Sequence, residues 1–460
     1  MANELNVRYP KLQLELQDRL NAYWKRNAKL TSISVKAFGS NMGMVGLLFK
    51  ATLEWQPADQ QLPTSLVVKL PRMGTRSHLV EEVEKKTEND SFASNFLDVS
   101  HNVEVQVYDM FESPEFAPVP IARCFMREKM SLDTKRGIIV LEDLSQKAVQ
   151  LEDVSTSLSV GQLFSIASAL ADLHGWCITT EVDWKSPLAD ADNRFKNVSH
   201  LQEMVSNGLE WMKSNYQERM IHKDFTLALN RFERSERDRL AQRWANILPT
   251  VLVHGDLWTN NIFFKPNQHG KCSDELAAVI DWQLVHTGSM FEDLSIILTW
   301  CTSADIRRTR SREVIQQYHK RLAHNVKGKV SLPSEDVLWT AFNDVWPTRA
   351  ILLGGMLQML LGAMSNCLRW LLRDRNVVLR FAHFKLRFRI AKLTGSCYGN
   401  GNCHQRTSER TSIPYLVKLI RRRINQSIDR AMNKKCSFYG KQKSEKRILY
   451  NCRRNVAASM

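Results

Sequence analysis

No two of the nine cysteines in this 460-residue chain form a C-x-x-C pair, and Cys124, Cys177, Cys272, Cys301 and Cys367 lie singly in mixed or apolar surroundings. Such spacing is poor for zinc and favours free thiols over a disulfide framework. The first twenty residues, MANELNVRYPKLQLELQDRL, lack the uncharged apolar core of a secretory leader, so the expected location is cytoplasmic. Uninterrupted hydrophobic runs are scarce as well. The stretch from Ile351 to Leu368 carries no charge over eighteen residues, but Gln358, Ser365, Asn366 and three glycines break it. It is read as a buried helix rather than a membrane span.

Acidic residues are scarce in one region only. From Ser396 onward there are 15 Lys plus Arg against 3 Asp plus Glu, a net +12 of the chain's +16. The first 395 residues hold 49 against 45 and are nearly balanced. A uniformly basic surface of the kind that tracks nucleic-acid backbones is therefore not indicated. Leu416, Ile420, Ile424, Ile428 and Met432 recur every four residues around Arg421–Arg423, a pattern for a basic amphipathic helix able to contact an anionic surface.

The chemistry concentrates in Val251–Lys265, VLVHGDLWTNNIFFK, where an apolar strand delivers His254, Asp256 and Asn261 at H-x-D-x-x-x-x-N spacing. Twenty residues after Asn261 a second apolar run, LAAVIDWQ, brings Asp281. A lone H-G-D between two strands would be only a turn, since Asp and Asn stabilise turns through their own side chains. The two runs together point to phosphoryl transfer, a reaction in which the protein mainly positions groups and neutralises charge. Asp256 is the candidate catalytic base, Asn261 and Asp281 are the candidate magnesium ligands, and His254 is a brace.

At HGDLWTNNIFF, IDWQLVHTGS and the following EDLSIIL the chain resembles the CHK kinase-like family, also called ecdysteroid kinase-like, which is akin to choline kinases and aminoglycoside phosphotransferases. The resemblance covers residues 10 to 395 and implies ATP- and Mg2+-dependent phosphorylation of a hydroxyl on a small molecule. The fold it implies is α+β and two-lobed, protein-kinase-like, with a small β-rich N-lobe and a larger, mainly helical C-lobe. The expected divisions are an N-terminal helical segment (1–30), the N-lobe (31–144), the C-lobe (145–395) and a basic tail (396–460).

Upstream, an amphipathic helix is expected around Tyr9–Trp24, followed by a hairpin bearing Gly39, Gly43 and Gly46, whose backbone amides could approach phosphates. Their spacing departs from the protein-kinase G-x-G-x-x-G, and a glycine hairpin without a nucleotide is at least as common. Lys69, near the end of the strand LVVKLP, is the candidate phosphate-pairing lysine, with Glu104 of HNVEVQVYDMF as its helix-borne partner. Val103, Val107 and Met110 form the helix's apolar stripe, with Glu104 beside it. The run GIIVLEDL should emerge into a connector between lobes, where the backbone of Glu142, Asp143 and Leu144 would read adenine.

LFSIASALADLH predicts a helix packed under the catalytic strand, with His174 structural. Asp293, opening the helix of EDLSIIL, can cap backbone amides and brace the catalytic loop. Trp300, Trp339 and Trp346 are candidates for an acceptor pocket, although most such residues are packing residues.

Two other readings stay in view. A catalytically inactive, kinase-like nucleotide- or small-molecule-binding module would be signalled by loss of Lys69, Asp256, Asn261 or Asp281, and all four are present. A protein kinase would carry D-F-G where D-W-Q stands and an A-P-E motif, so a protein acceptor is disfavoured. Because every candidate catalytic residue precedes Trp282, removal of Ser396–Met460 is expected to leave Mg-ATP affinity within a few-fold while binding to anionic vesicles at low salt falls sharply. Calorimetry and vesicle co-sedimentation on the truncated chain measure the two effects separately.

Overall fold

In a computed structural model the described residues are 5, 9–37, 46–71, 90–111, 115–131, 136–151, 156–196 and 243–347. Gly39, Gly43, the Ile351–Leu368 run and the basic tail lie outside them. Helix α1 (Leu12–Trp24) precedes strands β1 (Lys29–Ala37), β2 (Gly46–Gln56) and β3 (Ser65–Pro71). Helix α2 (Asp90–Met110) then leads to β4 (Cys124–Ser131) and β5 (Arg136–Glu142). The five strands form one antiparallel sheet in the order β1-β2-β3-β5-β4.

The alternation expected of a strand covered on both faces is clearest in β5. Ile138 and Val140 join an outer core with Leu12, Leu16 and Leu20 of α1, while Ile139 and Leu141 join the main core with Val103, Val107 and Tyr108 of α2. The N-terminal helix is thus one wall of the β-rich lobe and not a segment apart from it. The apolar surface of α2 is wider than a single stripe, because Val103, Val105, Val107 and Tyr108 are all buried.

After β5 the chain makes a short 3-10 turn, Leu144–Gln146, that begins the second lobe. Helix α3 (Val160–Thr179) opens with a reciprocal capping box: Gln162 N donates to Ser159 Oγ and Ser159 N donates to Gln162 Oε1, both at 3.0 Å. Leu163, Ile166, Ala167, Leu170 and Leu173 then place its apolar face in the main core. His174 is buried there with Nδ1 2.7 Å from the Tyr318 hydroxyl, a packing role as expected. Helix α4 (Ala189–Lys196) follows.

Two short hairpin-like pairs carry the motif region: β6 (Thr250–Val253) with β9 (His286–Ser289), and β7 (Ile262–Pro266) with β8 (Cys272–Val279). Helices α5 (Glu292–Trp300) and α6 (Ala304–Asn325) pack behind them, and residues 335–347 are helical. The architecture is α+β and two-lobed, a β-rich N-lobe against a mainly helical C-lobe, in the manner of protein kinases. Cys124 and Cys177 are free thiols. No helix among the described residues is long and apolar enough to cross a membrane.

The connector between lobes is fastened by Asp143. Its Oδ2 accepts from Ser65 Oγ and pairs with Lys50 Nζ, each at 2.7 Å, and its Oδ1 accepts from Ser145 N at 3.0 Å. Although burial works against it, these donors hold the carboxyl well below the usual carboxylate range. Asp143→Ala is expected to lower unfolding stability by about 1–3 kcal/mol, read by chemical denaturation, because three partners in β2, β3 and the turn lose one acceptor.

Candidate functional site

Lys69 on β3 sits at the crossing of three elements. Its Nζ lies 2.5 Å from Glu104 Oε2 on α2 and 2.5 Å from Asp281 Oδ1, 212 residues away, just beyond β8. Strand β2 closes over it at Gly46, where a Cβ would lie 3.2 Å from Leu70 O and 3.3 Å from Lys69 Cε. Lys69 is 8% exposed and Glu104 1% exposed, which settles the Glu104 side chain as inward-facing. Burial opposes the ammonium charge, and the Asp281 and Glu104 carboxylates outweigh it, keeping the lysine above its ordinary range. Burial pushes the Glu104 carboxyl up, against the downward pull of Lys69.

Asp281 adopts a left-handed backbone (φ 68°), uncommon for a non-glycine residue, at the step from β8 into the Trp282–Leu284 turn. Its second oxygen, Oδ2, accepts from Gln283 Nε2 at 3.2 Å, and Gln283 Oε1 lies 3.4 Å from Lys69 Nζ.

The His254–Asn261 loop is held by four hydrogen bonds around His254 and Asp293. Asp293 accepts from His254 N at 2.7 Å and from Gly255 N at 3.0 Å. It caps the loop's amides rather than those of its own helix, whose N-cap is Phe291. His254 Nε2 lies 3.0 Å from Ile280 O, and its Nδ1 accepts Asp256 N at 3.2 Å. Burial lowers this imidazole to about 4, so it is neutral, with the proton on Nε2 facing the carbonyl. Trp282 packs against its ring at 4.7 Å between centroids. Gly255 has φ +83°, and a Cβ there would collide with the Leu284 carbonyl and reach His286 Cε1 at 3.2 Å. Only glycine lets the loop approach so closely.

Asn261 N–H2 donates to both the backbone oxygen (2.8 Å) and Oδ2 (3.1 Å) of Asp256, turning its amide oxygen away from that carboxylate. Ile280 N donates to Asn261 O at 3.0 Å, which ties the Asn261 loop to the Asp281 strand end. Burial and the nearby Asp281 charge raise the Asp256 carboxyl to about 7. The donor set of Asn261 and Asp281 is one amide oxygen and one carboxylate, hard ligands that suit magnesium. Among the described residues no three His, Cys, Asp or Glu converge into a metal cage.

The side chains of the connector hold it to its surroundings. Glu142 Oε1 accepts Arg123 N at 2.8 Å and Oε2 pairs with Lys147 at 2.5 Å, Asp143 is the fastener described above, and Leu144 is buried. Trp300, Trp339 and Trp346 all pack against the main core, Trp339 stacking on Phe342 at 5.6 Å. Gln283, Gly255 and the Asp192–Thr287 tie, in which both Asp192 oxygens accept from Thr287 (2.8 Å from N, 2.7 Å from Oγ1), were not singled out from the sequence. The only signal for Gln283 was its place two residues after Asp281, in a D-W-Q where D-F-G would stand.

A five-stranded antiparallel lobe bearing a buried lysine–glutamate pair, and a second lobe bearing H-x-D-x-x-x-x-N and an aspartate at a strand end, define a kinase-like protein. More narrowly, the chain belongs to the DUF1679 family, described as "Uncharacterized oxidoreductase dhs-27", which matches residues 7–367. The Caenorhabditis elegans protein of that name is 24% identical over 318 residues, covering 66% of this chain and 36% of that protein. The homoserine kinase of Methylobacterium nodulans is 32% identical over 112 residues, 23% of this chain and 33% of that one. The chain thus spans about a third of the length of these curated relatives. Among solved structures, the GDP complex of wild-type aminoglycoside 2'-phosphotransferase-IIIa aligns with 83% of this chain and 99% of its own at 13% identity and a TM-score of 0.40. The macrolide 2'-phosphotransferase MphH from Brachybacterium faecium aligns with 77% and 95% at 14% identity and a TM-score of 0.36.

A carboxyl raised by burial contributes stability while protonated and loses that contribution as pH rises through its folded value, here about 7. Without nucleotide or divalent cation, Asp256→Asn is therefore expected to melt several degrees above wild type at pH 8. The difference should vanish toward pH 4, and differential scanning calorimetry across that range measures it.

Proposed function

We propose that this protein is an ATP- and Mg2+-dependent phosphotransferase that acts on a hydroxyl group of a small molecule, with Asp256 as catalytic base. The observation that carries the reading is the convergence at Lys69. One buried ammonium meets carboxylates from α2 and from the end of β8, and the latter segment is hydrogen-bonded to the loop holding Asp256 and Asn261.

In this reading Lys69 exchanges Asp281 for the α- and β-phosphates, and Glu104 keeps the ammonium in place. Asn261 and Asp281 would hold the magnesium, which neutralises phosphate charge when bound. Asp256 is partly exposed, so an acceptor hydroxyl can reach it, and its raised carboxyl suits proton acceptance near neutral pH. The proton of the attacking hydroxyl passes to Asp256 as the oxygen bonds to the γ-phosphorus and the bond to the ADP oxygen breaks. Gly46, on the strand over Lys69, would bring backbone near the phosphates. The backbone of Glu142, Asp143 and Leu144, extended through Asp143 and turning at Leu144, would face adenine.

The homoserine kinases among the relatives are named for a small-molecule acceptor, which supports the same acceptor class. The word oxidoreductase belongs to a protein of which nearly two thirds lies outside the match. Every sheet among the described residues is antiparallel, whereas a dinucleotide-binding fold of the doubly wound kind is built on parallel strands.

The test is incubation of the purified chain with γ-labelled ATP, Mg2+ and a metabolite extract, followed by mass identification of labelled products. Wild type is expected to label one or a few small hydroxyl compounds, and Asp256→Asn to do so at least about a hundredfold more slowly with Mg-ATP affinity nearly unchanged. Labelling by Asp256→Asn at the wild-type rate would remove Asp256 from the base role.

A further inference from the structure

Gln283 is 9% exposed, and its carboxamide reaches two members of the charged cluster at once. Nε2 donates to Asp281 Oδ2 at 3.2 Å, and Oε1 accepts from Lys69 Nζ at 3.4 Å. An uncharged amide can hold both a carboxylate and an ammonium because it carries a donor and an acceptor. A glutamate there would accept from Lys69 but repel Asp281, and a leucine would serve neither.

The contacts also differ in strength. The Lys69–Asp281 pair is 2.5 Å long, whereas both Gln283 contacts exceed 3 Å. Gln283 is thus a further, weaker partner to each charge, after Glu104 and Asp281 on Lys69 and after Lys69 on Asp281, and Lys69 and Asp281 must give up each other if phosphate and cation are to enter between them. Without Gln283, Asp281 would leave the ion pair with only its strained left-handed backbone to direct its carboxylate.

We propose that Gln283 is a positioning residue for this exchange, holding Asp281 Oδ2 and steadying Lys69 so that Oδ1 and the ammonium are presented to cation and phosphate in place of each other. The inference rests on the phosphotransferase reading for its purpose, and on the contacts of Gln283 for its mechanism.

Two variants test it. Gln283→Leu removes both contacts, and Mg-ATP affinity measured by calorimetry is expected to weaken about tenfold or more, the loss typical of a hydrogen bond to a charged group. Gln283→Glu keeps the shape but sets a second carboxylate beside Asp281. Binding of Mn2+ alone, measured by electron paramagnetic resonance, is expected to tighten about tenfold over wild type, while Gln283→Leu shows no gain. Circular dichroism melts of both variants separate these effects from misfolding. Mg-ATP affinity of Gln283→Leu within twofold of wild type, or Mn2+ binding by Gln283→Glu within twofold of wild type, would overturn the assignment. A wild-type chain that binds no nucleotide would defeat the phosphotransferase reading instead, and the Mn2+ measurement would still decide where Gln283 points.

Discussion

One ammonium shared by two carboxylates governs this structure. Lys69 is buried, and removing it from water is tolerable only because Glu104 and Asp281 arrive from different directions to compensate it. Such a cluster is weak evidence for stability, because desolvating three charges offsets much of their attraction. Its effect is on alignment instead. Strand β3, helix α2 and the end of β8 must reach one point, and a shift in any of them leaves a buried charge without its partner.

The remainder of the site is arranged to hold that point. Asp293 takes the two amides at the start of the catalytic loop, His254 bridges the loop to Ile280, and Ile280 in turn binds Asn261. The Asp293 contacts tie the loop to α5, and the Ile280 contacts join it to the strand end that carries Asp281. The neutral imidazole of His254 makes this bridge without adding charge next to Asp256. Asp256, Asn261, Asp281 and Lys69 thus belong to one hydrogen-bonded unit, in which moving one group disturbs the others.

Most of this unit was legible in the sequence because its residues fall at fixed offsets from apolar strands. His254, Asp256 and Asn261 follow Val251–Val253, and Asp281 follows Ala277–Ile280, so strand endings mark the chemistry. Lys69 and Glu104 could be paired on the same logic, one at a strand end and one on the following helix. What could not be read were contacts that depend on tertiary closeness alone. Nothing local marks Asp143 as a partner of Lys50, 93 positions upstream, or Asp192 as a partner of Thr287. The connector was expected to act through its backbone, and nothing in the sequence marks its acidic side chains, which are engaged in holding the lobe together. The tryptophans were ambiguous for a different reason: a large aromatic in an apolar helical region looks the same from sequence whether it lines a pocket or fills the core, and Trp300, Trp339 and Trp346 pack against the core.

The partition running through β5 has a practical consequence for handling this chain. Ile138 and Val140 face the core built on α1, whereas Ile139 and Leu141 face the core shared with the catalytic half. A shortened protein begun near Lys29 would retain the Lys69, Glu104, Asp256 and Asp281 cluster, yet one side of its sheet would be bare hydrocarbon. Poor solubility of such a fragment would therefore report an uncovered sheet face and say nothing about its chemistry.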